Sequence, residues 1–397
     1  MKTIFNIFIF TLSTQVLVAQ SFSKTIKRLP DTGQTKSYTD TYGEDNDYSD
    51  LTPYYMDNGD GTITDTITGL MWQKIDGGEM TIENAKIYVE NLSLGGYDDW
   101  RLPTALEAYT IQNLQFNNPS LDIIYFPKTN AEYWWTSDVQ ANDINKIWVT
   151  NAGGGIGNHL KTETISAGGA KRFHARAVRN TYTKNIIERF KLINEQILID
   201  SLTGLMWQRL PYETALSWEN AIKHAENLSI DQYSDWRLPN IKELQSLQDV
   251  ALTMPCINTS IFPNVGVKKY WSSTSQNNQA TRAWYFDTSF GITTQAAKND
   301  DLYIISVRNN TSLSSIHIDS NPTSLHIFPN PSTDRLYICR DHACETQDYE
   351  ITSINGVNLQ SGNATDQIDI SSLSPGLYIL TLRSKDGTFK HGSFIKN

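Results

Sequence analysis

Thr68-Gly-Leu-Met-Trp-Gln73 recurs as Thr203-Gly-Leu-Met-Trp-Gln208, and Asp99-Trp-Arg-Leu-Pro103 recurs as Asp235-Trp-Arg-Leu-Pro239. Between and beyond them the same order repeats. Glu90-Asn-Leu-Ser93 returns as Glu226-Asn-Leu-Ser229, Phe126-Pro127 as Phe262-Pro263, Trp135 as Trp271, and Trp148 as Trp284. Both stretches close on Val-Arg-Asn, at Val178–Asn180 and Val307–Asn309. The offset is 136 residues from Trp100 to Trp236 and still 136 from Trp148 to Trp284. A unit this long exceeds a solenoid repeat, so each copy is expected to be a domain packed as its own body.

The residues between the matches predict the elements. Gly61 to Gln73 and Ile197 to Gln208 carry β-branched residues around a glycine, a hairpin signal. Ala85, Tyr88 or Val89, and Leu92 fall at helical spacing, as do Ala221, Ala225 and Leu228. Thr81 and Ser217 are the expected N-caps. A second helix follows each Trp-Arg-Leu-Pro, opened by the capping boxes Thr104-Ala-Leu-Glu107 and Asn240-Ile-Lys-Glu243. The rest of each copy is strand-like. The expected class is α+β, with helices in the N-terminal half of each copy.

Around this repeat the 397-residue chain divides further. Residues 1–20 pair Lys2 with a mostly apolar run and a small residue, Ala19, the pattern of a cleavable secretory signal. Residues 21–54 read as a polar linker, 55–180 as the first copy, 190–309 as the second, 310–323 as another linker, and 324–397 as a separate β module. The net charge of −10 disfavours nucleic acid as a partner. Of three cysteines, Cys339 and Cys344 lie close enough to pair in an oxidising compartment, and Cys256 reads as a buried thiol.

The paired Thr-Gly-Leu-Met-Trp-Gln and Trp-Arg-Leu-Pro signatures resemble the Lcl C-terminal domain family. The resemblance implies a C-type-lectin-like fold, which also hosts formylglycine-generating enzymes, and it implies kinship with cell-surface adhesins of sulfated polysaccharides. This chain has no collagen-like stalk, so adhesion by that arrangement is not carried over. From Leu325 onward, short β runs alternate with turns, suggesting a small sandwich. Phe328-Pro329-Asn330-Pro331, Gly356, Gly376, Tyr378 and the terminal Phe394-Ile-Lys396 resemble the type A sorting domain of the type IX secretion system. That resemblance implies an immunoglobulin-like module, the type IX machinery as partner, and a cell-surface or extracellular location.

No zinc spacing, phosphate loop or nucleophile elbow occurs, so no enzymatic activity and no cofactor are expected. Asp57 to Asp65 superficially resembles a calcium loop, but Met56 and Ile67 fall where carboxylates are required, and a hairpin turn is preferred. Asp99-Trp-Arg reads as a structural ion pair. Eight of the ten tryptophans pair across the copies and read as core. Trp134 and Trp218 are unpaired, hence candidates for exposed contacts. The first copy carries extra glycines, Gly153–Gly155, Gly157, Gly168 and Gly169, followed by basic residues. A loop of this kind is where specificity tends to reside, so Trp134, His159, Lys161, Lys171, Arg172 and His174 are the candidate ligand-binding residues. The expected function is an exported binding protein for glycans or other extracellular ligands. The alternatives are an enzyme on extracellular polymers and a protein-binding surface-assembly subunit.

Overall fold

The computed structural model describes residues 21–48, 51–163, 172–310, 332–337, 347–353, 357–364, 367–383 and 389–396. The expected signal at residues 1–20, Cys339, Cys344, Gly168, Gly169, Lys171, Pro329, Asn330, Pro331 and Gly356 lie outside them. The described chain is mostly β, with short helices, and it divides at Asn310 into two units.

Within the first unit, both copies build the same parts. Strands Thr62–Asp65 and Leu70–Gln73 pair as a hairpin, as do Ile197–Asp200 and Leu205–Gln208. Each turn places a glycine in the left-handed region, Gly69 at φ +68° and Gly204 at φ +77°, which costs glycine little. The last strand of each copy, Val178–Asn180 or Val307–Asn309, returns to lie against its hairpin.

The helices are α1 (Ile82–Glu90), α2 (Ala105–Thr110), α3 (Trp218–Glu226) and α4 (Ile241–Ser246). Both expected capping boxes form, Thr104 with Glu107 and Asn240 with Glu243. Thr81 caps α1 through the Asn84 amide, whereas Ser217 makes no side-chain cap bond. The signature arginines lock these boxes. Arg101 donates to both Glu107 oxygens at 2.7 and 2.8 Å and to Asn180 at 2.7 Å. Arg237 repeats this on Glu243 at 2.8 and 2.7 Å and on Asn309 at 3.2 Å. Asp99 receives Arg179 at 2.6 Å, and Asp235 receives Arg308 at 2.6 Å. The Asp-Trp-Arg and Val-Arg-Asn motifs are thus two halves of one clasp, built from forked charge-assisted bonds.

The expectation of two separately packed bodies does not describe the structure. Nine strands form one sheet across both copies. The order runs Tyr212–Leu216, Leu302–Ile304, Lys269–Ser275, Arg282–Asp287, Ile292–Ala297, Ile156–Leu160, Asp143–Asn151, Tyr133–Gln140, Phe173–His174. The seam is Ile292–Ala297 against Ile156–Leu160, antiparallel, with Thr293 opposite Ile156. Beneath it Tyr109, Trp148 and Ile156 of the first copy share one apolar cluster with Trp207, Trp284 and Phe286 of the second. Of the glycines at 153–155, Gly155 lies at this seam. Gly155 is buried, and a Cβ there would lie 3.2 Å from the Thr293 carbonyl. The copies merge because each leaves an apolar sheet edge and face that the other covers.

The segment 21–54 is not a linker. Ile26, Leu29, Asp31, Thr32, Gln34, Glu44 and Asp45 are buried, and the segment lies as a strap over both copies. Ser21–Ser23 pairs with Ile186–Glu188. Gln34 Nε2 donates to the Ser275 carbonyl at 2.5 Å. At the centre Lys242, fully buried, donates to the Asp31 carbonyl at 2.7 Å and to the Thr110 carbonyl at 2.8 Å. It therefore ties strap, first copy and second copy at one ammonium. Asp45 Oδ2 accepts from Thr32 at 2.8 Å and Thr274 at 2.5 Å.

Burial pushes the Asp31 carboxyl up to about 6, against the pull of Lys242, and raises Asp45 in the same direction. A folded-state value above the unfolded one means that these groups stabilise most below the ordinary carboxylate range. That contribution is lost as pH rises through about 6. Stability measured by urea unfolding is expected to decline from about pH 4 to pH 6 in the wild type, and Asp31→Asn is expected to flatten that slope.

In the second unit, Asn358–Ala364, Gln347–Ser353, Gly376–Arg383 and Phe389–Lys396 form an antiparallel sheet in that order, and Arg335–Tyr337 pairs with Gln367–Asp369. Leu336, Ile351, Ile368, Tyr378, Leu380 and Phe394 share its interior. The Tyr378 hydroxyl donates to the Ser374 carbonyl at 2.6 Å. Gly376 stands opposite Lys396 on neighbouring strands.

Candidate functional site

The candidate site is a groove of about 310 Å³ on the first copy, between α1 and the residues that precede α2. Lys86, Val89 and Glu90 of α1 form one wall, and Trp100, Arg101 and Thr104 form the other. Ser137 closes one end and Lys184 another. Helical periodicity sets the first wall, because Lys86 and Glu90 are one turn apart and face outward while Ala85 and Val89 face the core. The Arg101 clasp sets the second. Ser137 is fixed by its amide, which donates to the Pro103 carbonyl at 2.7 Å.

Lys86, Glu90, Ser137 and Lys184 are exposed. Desolvation, then the nearby Arg101 charge, lowers the pKa of Lys184. Behind Ser137, burial raises the pKa of Asp138, whose Oδ2 accepts the Ala105 amide at 2.7 Å. The groove therefore offers three cations, one open carboxylate and a hydroxyl around the edge of a buried indole.

The second copy has the same groove, and the strap fills it. Ile222, Glu226, Trp236, Arg237, Asn240 and Ser273 stand at the positions of Lys86, Glu90, Trp100, Arg101, Thr104 and Ser137. Ile222 and Ser273 are buried. The side chain of Arg237 is 6% exposed, against 30% for Arg101. The covering element is the 3-10 turn Asp45–Tyr48 with the residues before it. Gly43 sits so close that a Cβ would lie 2.6 Å from Ile222. A crevice of about 50 Å³ remains, bordered by Tyr48, Arg237, Asn240 and Glu243.

Two repeats of one scaffold, clasped alike and grooved alike, match the Lcl C-terminal domain model at residues 61–179 and 196–308. The chain belongs to the Lcl C-terminal domain family. Residues 326–396 match the secretion system C-terminal sorting domain. That module marks the protein as handled by the type IX secretion machinery, exported, and located at the cell surface or outside the cell. Curated proteins include no match.

Of the described residues singled out from sequence in the first Lcl C-terminal domain, Trp134 and His174 are buried and His159, Lys161 and Arg172 are half-buried. Trp134 is buried and donates to Asp76 Oδ2 at 2.9 Å, so it is not an exposed stacking face. His174 is buried too, its Nδ1 2.7 Å from Asp76 Oδ1. Burial alone would raise Asp76, but the His174 bond, the Arg176 charge and the Trp134 and Thr129 bonds outweigh it and hold the carboxyl well below its usual range. Trp134 and His174 are opposite one another on paired strands, and together they form a structural network. Arg172 is taken up by Glu132 at 2.8 Å and the Asn130 carbonyl at 2.5 Å. His159 contacts Glu163 at 3.1 Å and packs on Tyr133. Lys161 follows the same strand, its amide on the Asn145 carbonyl. Trp218 is buried, with Nε1 donating to the Ser272 carbonyl at 2.7 Å. All ten tryptophans are buried. Cys256 lies in the shared apolar cluster, and burial pushes its thiol well up, the opposite of a nucleophile's need.

The groove residues escaped the sequence reading because Lys86, Ser137 and Lys184 belong to no motif. One signal was present. Lys86 stands where the other copy has the apolar Ile222, directly after Glu83-Asn-Ala85, which repeats as Glu219-Asn-Ala221.

Proposed function

We propose that this chain is an exported binding protein, not an enzyme, and that its first Lcl C-terminal domain receives an extracellular ligand in the Lys86–Lys184 groove. Each domain is read as a C-type-lectin-like module, supported by the pairing of its first hairpin with its last strand and by its two short helices. The sorting module is read as an immunoglobulin-like sandwich. One observation carries the binding role. The same groove occurs twice, and the chain fills one with its own strap while the other stays open and polar. A glycan or a polypeptide meets its chemistry, since Lys86, Arg101 and Glu90 offer donors and an acceptor around an apolar floor. Glycan binding by tryptophan stacking is not part of this reading, because the indoles are buried.

The test uses the full chain against arrays of sulfated, uronate and neutral glycans and against denatured collagen. Ser137→Trp places an indole in the groove mouth without touching the clasp. At least a tenfold loss of retention is expected for Ser137→Trp and none for Lys161→Ala, since one blocked contact surface removes several hydrogen bonds. Retention unchanged by Ser137→Trp, or lost with Lys161→Ala, would overturn the proposal.

A further inference from the structure

We infer that the ligand of the first groove is a polypeptide segment that carries threonine or serine hydroxyls followed by a tyrosine, and that lies across the groove as the strap lies across the second one. This rests on the binding role proposed above and names the ligand class for that site.

The strap is a bound peptide seen in place. Thr39 donates to Glu219 Oε1 at 2.5 Å, and Thr41 donates to Glu219 Oε2. Gly43 crosses α3 against Ile222 and Glu226. Tyr48 donates to the two Glu226 oxygens at 2.9 and 2.8 Å, with its ring 5.3 Å from the Arg237 guanidinium. Over residues 39–48, four side chains of the second copy read the strap: Glu219, Glu226, Arg237 and Thr274; Lys242, which anchors the strap farther back at Asp31, has Leu106 at its place in the first copy.

Three of the four persist in the first copy. Glu83 stands for Glu219, Glu90 for Glu226 and Arg101 for Arg237. Glu83 and Glu90 lie exposed on α1, seven residues apart, so they share one face. Both accept hydrogen bonds, which suits hydroxyl donors and opposes sulfate or carboxylate groups placed at the same points. Arg101 presents the planar cation on which a tyrosine ring rests.

Two positions differ, and they alter the peptide that fits. Asp138 replaces Thr274, the hydroxyl that donates to Asp45. Asp138 already accepts the Ala105 amide, and its carboxylate repels a strap aspartate at that place. A neutral amide or hydroxyl belongs there instead. Lys86 replaces Ile222, so the close glycine crossing is relaxed and an acidic neighbour is welcomed.

The probe follows from these contacts. It is a fluorescent synthetic peptide of residues 37–49 with Asp45→Asn, titrated into the full chain with its own strap in place. Saturable one-to-one binding is expected. Ser137→Trp in the protein abolishes it, while Tyr48→Phe in the peptide and Glu90→Ala in the protein each weaken it about tenfold, the scale of one hydrogen bond to a charged group. Absence of saturable binding, or binding indifferent to both Ser137→Trp and the peptide's Tyr48→Phe, would overturn the inference. If a glycan is retained through the groove while the peptide is not, the polypeptide assignment falls and the groove stands. If neither ligand responds to Ser137→Trp, both fall.

Discussion

Lys242→Met is expected to destabilise residues 21–310 by about 3–5 kcal/mol, the cost of removing one partner from a buried charge cluster. Methionine keeps the apolar stem but removes all donors. The carbonyls of Asp31 and Thr110 then lose the bonds they accept at 2.7 and 2.8 Å. The ammonium also opposes the negative charge of Asp31 and Asp45. Without it, these carboxyls must take up protons or leave the interior. The loss should therefore be largest above pH 6 and smaller near pH 5, where protonation is cheaper. Urea unfolding at both pH values measures this. A pH-independent loss below about 1 kcal/mol would show that the ammonium does not hold the cluster.

Trp148→Ala is expected to cost about 3–5 kcal/mol, the range for emptying a buried indole site. The pattern of the loss matters more than its size. Trp148 belongs to the first copy but packs in the cluster that includes Trp284 and Phe286 of the second. Residues 21–310 should unfold in one calorimetric transition that moves down as a whole. Amide exchange at Leu205–Gln208, in the other copy, should accelerate in step with exchange at Leu70–Gln73. Two transitions, with one shifted, would mean that the copies are energetically separate despite the common sheet.

Much of each copy was legible in the sequence. The hairpins and the capping boxes at Thr104 and Asn240 are local, set by a few neighbouring residues, and they formed as read. The joint between copies was not legible, because Ile156 and Thr293 reveal nothing about each other until both edges exist. The strap was harder still. It has little apolar periodicity, and its burial rests on polar bonds to distant partners, such as Asp31 with Lys242 and Gln34 with Ser275. Composition marked it as solvated, whereas many of its polar groups are buried and bonded to distant partners. The candidate site failed for the same reason. Sequence ranks residues by chemical type, so it favoured Trp134 and His174. Both of these are buried and bonded to Asp76, a partner that no local pattern marks.

The seam joins corresponding strands of the two copies, Ile156–Leu160 and Ile292–Ala297, running in opposite directions. That is how identical subunits meet about a twofold axis. Carrying both on one chain fixes their effective concentration, so the pair does not come apart on dilution. At the cell surface or beyond it, a dimer encoded in a single polypeptide keeps its assembly where a pair of free subunits would drift apart.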